Sequence, residues 1–217
     1  MNILAIDIGG TNIKILATGQ TERRKFPSGK TMTPQNMVNG ILELTKDWTF
    51  EAVSMGYPGV IKNGKIITEP HNLGQGWVGF DFEAAFKIPV KIMNDAAMQA
   101  LGSYEHGTLL FLGLGTGLGS AIIADGTVVP MEVGHLSYKK STYEDYVGVG
   151  GLERLGKKKW QKHVSYCVER LSAAVIPDDV VLGGGNAKKL KKLPEGCRLG
   201  DNMFAFKGGF RLWDSQK

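Results

Sequence analysis

The stretch Ile3-Leu4-Ala5-Ile6-Asp7-Ile8-Gly9-Gly10-Thr11-Asn12-Ile13-Lys14-Ile15-Leu16-Ala17 is an apolar run, a glycine-threonine turn and a second apolar run. Aliphatic runs this short, joined by a tight glycine turn, predict a β-hairpin with strands at Ile3–Ile8 and Ile13–Ala17. The same pattern returns later in the chain. Leu109–Leu114 predicts a strand, Gly115-Thr116-Gly117 a turn and Gly119–Ala124 the returning strand. Such an echo predicts an α/β protein of two similar halves facing one another. No linker or low-complexity stretch separates them, and the boundary is placed near His106.

Between the hairpins, Thr33-Pro34 starts a helix, with Thr33 as N-cap and Pro34 at the first helical position. Met37, Val38, Ile41, Leu42 and Leu44 give it an apolar stripe. Ala52–Gly56 predicts a short buried strand closed by the turn Tyr57-Pro58-Gly59. Val90–Met93 predicts another, after which Asn94-Asp95 caps a helix containing Ala96–Tyr104. In the second half, Trp160, Val164, Val168, Leu171 and Val175 recur at helical spacing and predict an amphipathic helix over Lys158–Val175. Asp178–Leu182 predicts a strand that runs through Gly183-Gly184-Gly185 into a lysine-rich helix, and a last short helix is expected at Phe204–Trp213.

Composition narrows the classes. At about 150 residues per domain, 217 residues make one large domain or two small ones. The 42% hydrophobic content is too high for a disordered chain. Two cysteines, Cys167 and Cys197, cannot form a disulfide scaffold or a four-ligand zinc site. The first residues lack a basic n-region, and the longest apolar run, Leu109–Ala124, is broken by Gly113, Gly115, Thr116, Gly117 and Gly119. Neither a signal peptide nor a membrane span is expected, and a cytoplasmic location is the default. The net charge of +5 and pI near 9.1 invite a nucleic-acid reading. The basic residues concentrate in Lys157–Lys162 and Lys188–Lys192 with little aromatic interleaving, so a solvated helix face is the plainer account.

The glycine turns carry the chemistry. A turn such as Asp7-Ile8-Gly9-Gly10-Thr11 presents several backbone amides with no side chains in the way, which suits phosphate oxygens. Thr11 adds a hydroxyl and Lys14 a positive charge. Gly113-Leu114-Gly115-Thr116-Gly117 repeats the device, and Gly183–Gly185 is a third such turn. Singly, each is also an ordinary turn; three in a short chain favour a phosphorylated ligand. The two common nucleotide motifs are excluded. Arg24 stands where a P-loop ending in Gly29-Lys30-Thr31 needs glycine, and Leu118 stands where a dinucleotide fingerprint needs one. Asp95, between a strand and a helix, can serve as a proton acceptor or as a plain N-cap. Glu132-Val133-Gly134-His135 offers an acceptor and an imidazole to a polyhydroxylated ligand. His71 is expected near the site through the turn at Glu69–Gly74, and His106 and His163 at the surface.

Taken in order, these segments resemble the ROK family of sugar kinases, within it the polyphosphate glucokinases. The carrying residues are Asp7–Lys14, Gly56-Tyr57-Pro58-Gly59, Asn94-Asp95-Ala96, Gly115–Gly119, Glu132–Leu136, Thr142-Tyr143-Glu144-Asp145-Tyr146 and Gly183-Gly184-Gly185. The resemblance implies an actin-like, hexokinase-like fold: a duplicated pair of ribonuclease-H-like lobes with a central cleft. The first lobe would span 1–106, joined by a C-terminal helix within 203–217, and the second 107–202. It also implies roles. Asp95 would be the base that deprotonates the 6-hydroxyl of glucose. Asn94, Glu132 and His135 would hold sugar hydroxyls, joined by Glu144 and Asn72. Gly9, Gly10, Thr11 and Lys14 would form the first phosphate loop, and Gly115, Thr116 and Gly117 the second. Gly184 and Gly185 would lie beside the nucleoside or the distal donor phosphates, and Asp7 would contact hydrated Mg²⁺.

Departures from the family pattern add expectations. Leu136–Gly148 contains no cysteine where many ROK members carry a zinc motif, so no structural zinc is expected. The chain starts on the first strand, where ROK repressors have a preceding DNA-binding region, so no nucleic-acid partner is expected. The resemblance leaves open polyphosphate or ATP as donor, glucose, mannose or an amino sugar as acceptor, and a homodimer. The alternatives of another class are a catalytically silent sugar sensor of the same fold and a basic nucleic-acid binder.

Overall fold

The computed structural model describes residues 1–201 and 203–214. The chain divides into two compact units, one of residues 1–98 with the C-terminal helix from Ala205, the other Gln99–Phe204. In the first, strands β1 (Ile3–Ile8), β2 (Asn12–Ala17) and β3 (Arg24–Pro27) precede helix α1 (Pro34–Leu44) and strand β4 (Ala52–Tyr57). A small ribbon of β5 (Ile61–Lys62) and β6 (Lys65–Ile66), helix α2 (Phe82–Phe86) and strand β7 (Val90–Asn94) follow. Helix α3 (Asp95–Ser103) then carries the chain across the division, a few residues before His106. The second unit contains β8 (Thr108–Leu114), β9 (Leu118–Ala124), β10 (Thr127–Met131), the ribbon β11 (Ser137–Tyr138) and β12 (Ser141–Thr142), and helices α4 (Tyr143–Val147), α5 (Val149–Leu155) and α6 (Lys157–Val175). Strands β13 (Asp179–Gly183) and β14 (Cys197–Leu199) and helix α7 (Phe204–Arg211) complete the chain.

The echo in the sequence is an echo in topology. One five-stranded sheet has the order β3-β2-β1-β4-β7 and the other β10-β9-β8-β13-β14. In each, the hairpin and the strand after it are antiparallel, whereas the next two strands add in parallel. Parallel addition requires a crossover, which explains the helices before β4, β7 and β13; the crossover from β13 to β14 contains only a short 3₁₀ turn. The central strands are buried along nearly their whole length, as strands covered on both faces must be.

The helices form where capping and periodicity agree. Thr33 accepts a hydrogen bond from the Asn36 amide and Pro34 follows, so α1 starts as its sequence predicts. Met37, Val38 and Ile41 are buried, but Leu42 points outward at 42% exposure, which corrects its place in the stripe. Helix α6 buries Trp160, Val164, Cys167, Val168 and Leu171, and burial pushes the Cys167 thiol up to about 12. The lysine-rich helix expected after Gly183–Gly185 is only a 3₁₀ turn, Ala187–Lys189. Leu190 and Leu193 pack into the core of the second unit, and Gln161 bonds the Lys191 amide and the Lys192 carbonyl, satisfying an extended segment instead.

Within the first unit, α7 lies directly on the sheet. A Cβ on Gly209 would meet that of Ala5 at 2.7 Å, Ser54 Oγ donates to the Gly209 carbonyl, and Trp213 Nε1 donates to Ser54 Oγ at 2.8 Å. Of the segment expected at 203–217, residues 215–217 lie outside the described residues. No helix among those described is long and apolar enough to cross a membrane.

Candidate active site

In the first unit the glycine turn joins β1 to β2. Gly9 closes it by donating to the Asn12 carbonyl at 3.1 Å, and Ser28 Oγ donates to the Gly9 carbonyl. Among the described residues the Gly10 and Thr11 amides have no backbone acceptor, and both residues are exposed, so two donors stand open. A Cβ on Gly10 would lie 2.9 Å from that of Asn72, which brings this expected sugar contact against the turn. Asp7 and Lys14 are directly opposite on the two strands, and Lys14 Nζ donates to Asp7 Oδ2 at 2.8 Å. Asp7 is thus a single carboxylate that already has a cationic partner. That donor set suits an ion such as Mg²⁺, which keeps most of its waters and takes other ligands from phosphates.

Asn94 and Asp95 divide the work at the start of α3. Asn94 Oδ1 accepts from the Ala96 and Ala97 amides at 3.0 and 3.1 Å, so Asn94 is the N-cap, and its Nδ2 donates to the Gly59 carbonyl at 3.2 Å. One N–H of Asn94 remains for a ligand. Asp95 is the first helical residue, half-buried, with Oδ1 accepting from the Ala96 amide at 2.8 Å. Gly59 is itself held close by Tyr57, whose hydroxyl donates to the Thr68 carbonyl at 2.7 Å. His71 is exposed.

In the second unit, Gly115 donates to the Gly113 and Gly117 carbonyls, while among the described residues the Thr116 and Gly117 amides have no backbone acceptor. Asn186, which the sequence did not single out, braces this turn: its amide donates to the Leu114 carbonyl at 2.9 Å and its Nδ2 to the Gly115 carbonyl at 3.0 Å. Gly184 is in the left-handed region, φ +79°, and a Cβ there would lie 2.5 Å from the Leu114 carbonyl oxygen. Gly185 has open space around it. The third glycine cluster therefore packs beside the second.

The carboxylates gather next to that turn. Gly117 faces the Glu144 carboxylate, and Gly134 lets its own turn approach Leu118, where a Cβ would lie 2.9 Å from the carbonyl oxygen. His135 Nε2 is 3.6 Å from Glu144 Oε1. Glu132 is exposed on one side yet crowded enough that burial raises its carboxyl above the ordinary range; His135 opposes this and Glu144 adds to it. Glu144 owes its place to α4, which Thr142 and Asp145 start with a reciprocal capping box. Tyr138 donates to or accepts from His163 Nδ1 at 2.9 Å, so His163 is a half-buried partner of the aromatic cluster and not the surface residue expected. Among the described residues, no group of three or more histidine, cysteine, aspartate or glutamate side chains is arranged to hold a metal ion.

The two units share one fold plan and each has a glycine turn with open amides, the duplicated α/β architecture of actin-like, hexokinase-like proteins. The ROK family model matches residues 3–143. The chain belongs to the ROK family. It is 30% identical over 209 residues to a polyphosphate glucokinase of Mycobacterium tuberculosis, covering 86% of this chain and 78% of that one. It is 29% identical over 212 residues to an N-acetylmannosamine kinase of Salmonella typhimurium, covering 88% and 68%. Among solved structures, it is similar to the inorganic polyphosphate/ATP-glucomannokinase from Arthrobacter sp. strain KM, with a TM-score of 0.81, 25% identity and coverage of 95% and 96%.

Proposed function

We propose that this protein is a hexose kinase that transfers a terminal phosphoryl group from polyphosphate or ATP to the 6-hydroxyl of glucose. The observation that supports this reading is the arrangement at α3: Asn94 accepts from the Ala96 and Ala97 amides as the helix cap, which makes Asp95 the first helical residue after β7. Asp95 accepts the proton of the attacking hydroxyl. Glu132, His135 and Glu144, with Asn72 and the remaining N–H of Asn94, orient the sugar. The open amides of Gly10, Thr11, Thr116 and Gly117, with Lys14, hold the phosphoryl oxygens, and Gly184 and Gly185 border the rest of the donor. Mg²⁺ held through Asp7 would offset donor charge. Positioning and charge neutralisation do most of the work, because phosphoryl transfer needs little covalent help from the protein.

The relatives' names set the arms of the test. Glucose, mannose and N-acetylmannosamine are offered with ATP or polyphosphate, and phosphorylated sugar is measured. Glucose is expected to be the best acceptor; product from N-acetylmannosamine alone would move the reading to an amino-sugar kinase. Asp95→Asn is expected to lower turnover by at least ~10²-fold. Near-wild-type turnover in that variant would remove Asp95 from its role, and absence of product from every pair would favour a silent sugar sensor.

A further inference from the structure

Outside the residues assigned above, the second unit has a recess of about 700 Å³ whose lining includes Tyr138, Lys139, Tyr143, Lys159, Lys162 and Tyr166. Three ammonium groups from two separate elements, the β11–β12 turn and α6, border this one space, and no carboxylate lines it. None of the three lysines makes an ion pair among the described residues, whereas Lys14, Lys46, Arg24 and Arg198 all do. Like charges around one cavity repel unless an anion joins them. Lys139 also adopts the left-handed region at φ +53°, where asparagine or glycine is at ease and lysine is strained. The tyrosine hydroxyls add neutral donors; burial raises Tyr143 above its ordinary range, which keeps its proton in place at neutral pH.

The recess sits beside the second glycine turn without being part of it. Tyr143 and Glu144 are successive residues on α4, and while Tyr143 lines the recess, Glu144 faces Gly117. A helix with its side chains is about 10 Å thick, so one ligand reaches both places only if it is a chain. We infer that this recess is a binding site for condensed phosphate, holding the part of a polyphosphate chain remote from the phosphoryl group at the glycine turns. Its use in catalysis rests on the kinase reading; binding itself does not. The lysine run at Lys188–Lys192 presents its charges to solvent and takes no part in the recess.

The test is calorimetric titration of the whole protein, at fixed ionic strength, with inorganic tripolyphosphate and with long-chain polyphosphate. The wild type is expected to bind the long chain at least ~10-fold more tightly, and the variant Lys139→Asn/Lys159→Gln/Lys162→Gln to lose most of that margin, because three exposed charges each contribute modestly. A control variant, Lys188→Gln/Lys189→Gln/Lys191→Gln, removes the same charge elsewhere and is expected to keep the margin. Equal loss in both variants, or none in the first, overturns the proposal. So does single-stranded RNA that binds through the same three lysines while polyphosphate does not. In the activity assay, the first variant is expected to lose ~10-fold in kcat/KM for long-chain polyphosphate and nothing for ATP. If no donor is used at all, the kinase reading has failed, and the titration still decides whether the recess binds phosphate chains.

Discussion

The turn at Gly9–Thr11 and the turn at Gly115–Gly117 occupy the same place in two sheets of the same strand order, and each leaves two amides open. Their surroundings differ in charge. The first turn has Lys14 2.8 Å from Asp7, a carboxylate matched to a cation across the hairpin. Beside the second stand Glu132 and Glu144, with His135, 3.6 Å from Glu144, to offset them. Both units use the same main-chain device, and the side chains around it differ. We infer that the first turn handles charge in the donor, whereas the second combines neutral amides with acceptors for hydroxyl groups.

The comparison breaks most visibly in stability. At the second turn, Gly184 combines a positive φ with a backbone neighbour at 2.5 Å, so an added methyl group is both strained and obstructed. At the first, Gly10 meets only the Asn72 side chain, at 2.9 Å, with an ordinary backbone conformation. Gly184→Ala is expected to destabilise by about 3 kcal/mol, from left-handed strain plus overpacking, and Gly10→Ala by about 1 kcal/mol. Urea unfolding measures both. Equal losses would mean that the third glycine cluster does not brace the second turn as the geometry has it.

A smaller effect separates the turns in donor binding. Lys14→Met removes a charge-assisted donor and leaves Asp7 unmatched. With hexose saturating, the KM for the phosphoryl donor is expected to rise ~10-fold, consistent with one part-exposed charged hydrogen bond. The KM for hexose is expected to stay within about twofold, because Glu132 and Glu144, the acids proposed to bind sugar, belong to the other unit. A matching rise in both would dissolve the proposed division of roles.

The sequence makes much of this legible, and it fails in instructive places. The hairpins, α1 and the buried stripe of α6 are strong local signals, since periodicity and capping residues act over short distances. The edge strands Arg24–Pro27 and Cys197–Leu199 escape because they are short and owe their form to a neighbouring strand. Asn186 escapes because its meaning lies in a bond to Gly115, 71 residues away. Tyr138 and His163 are likewise legible only once α6 and the β11–β12 ribbon are packed together. At Asn94-Asp95 the sequence shows that a cap is present, but not which residue provides it. Only the hydrogen bonds from Ala96 and Ala97 assign that to Asn94.

The smallest expected effect lies in how Glu132, beside the second turn, responds to pH. Burial, with Glu144 adding and His135 opposing, holds the Glu132 carboxyl above its ordinary 4.5. An acid whose folded value is raised binds its proton more tightly when folded, so its contribution favours folding below 4.5 and fades as pH rises through that value toward the folded one. Glu132→Gln has no carboxyl to ionise. Relative to wild type, its melting temperature is therefore expected to climb as pH goes from below 4.5 to neutrality. The change stays within about 0.5 kcal/mol, as is usual for a group so near the surface. The same variant is expected to bind glucose more weakly and the donor unchanged. A melting difference that falls with pH would mean His135 outweighs burial at Glu132. The second unit would then be as well compensated as the first, and the contrast between them would reduce to Lys14 alone.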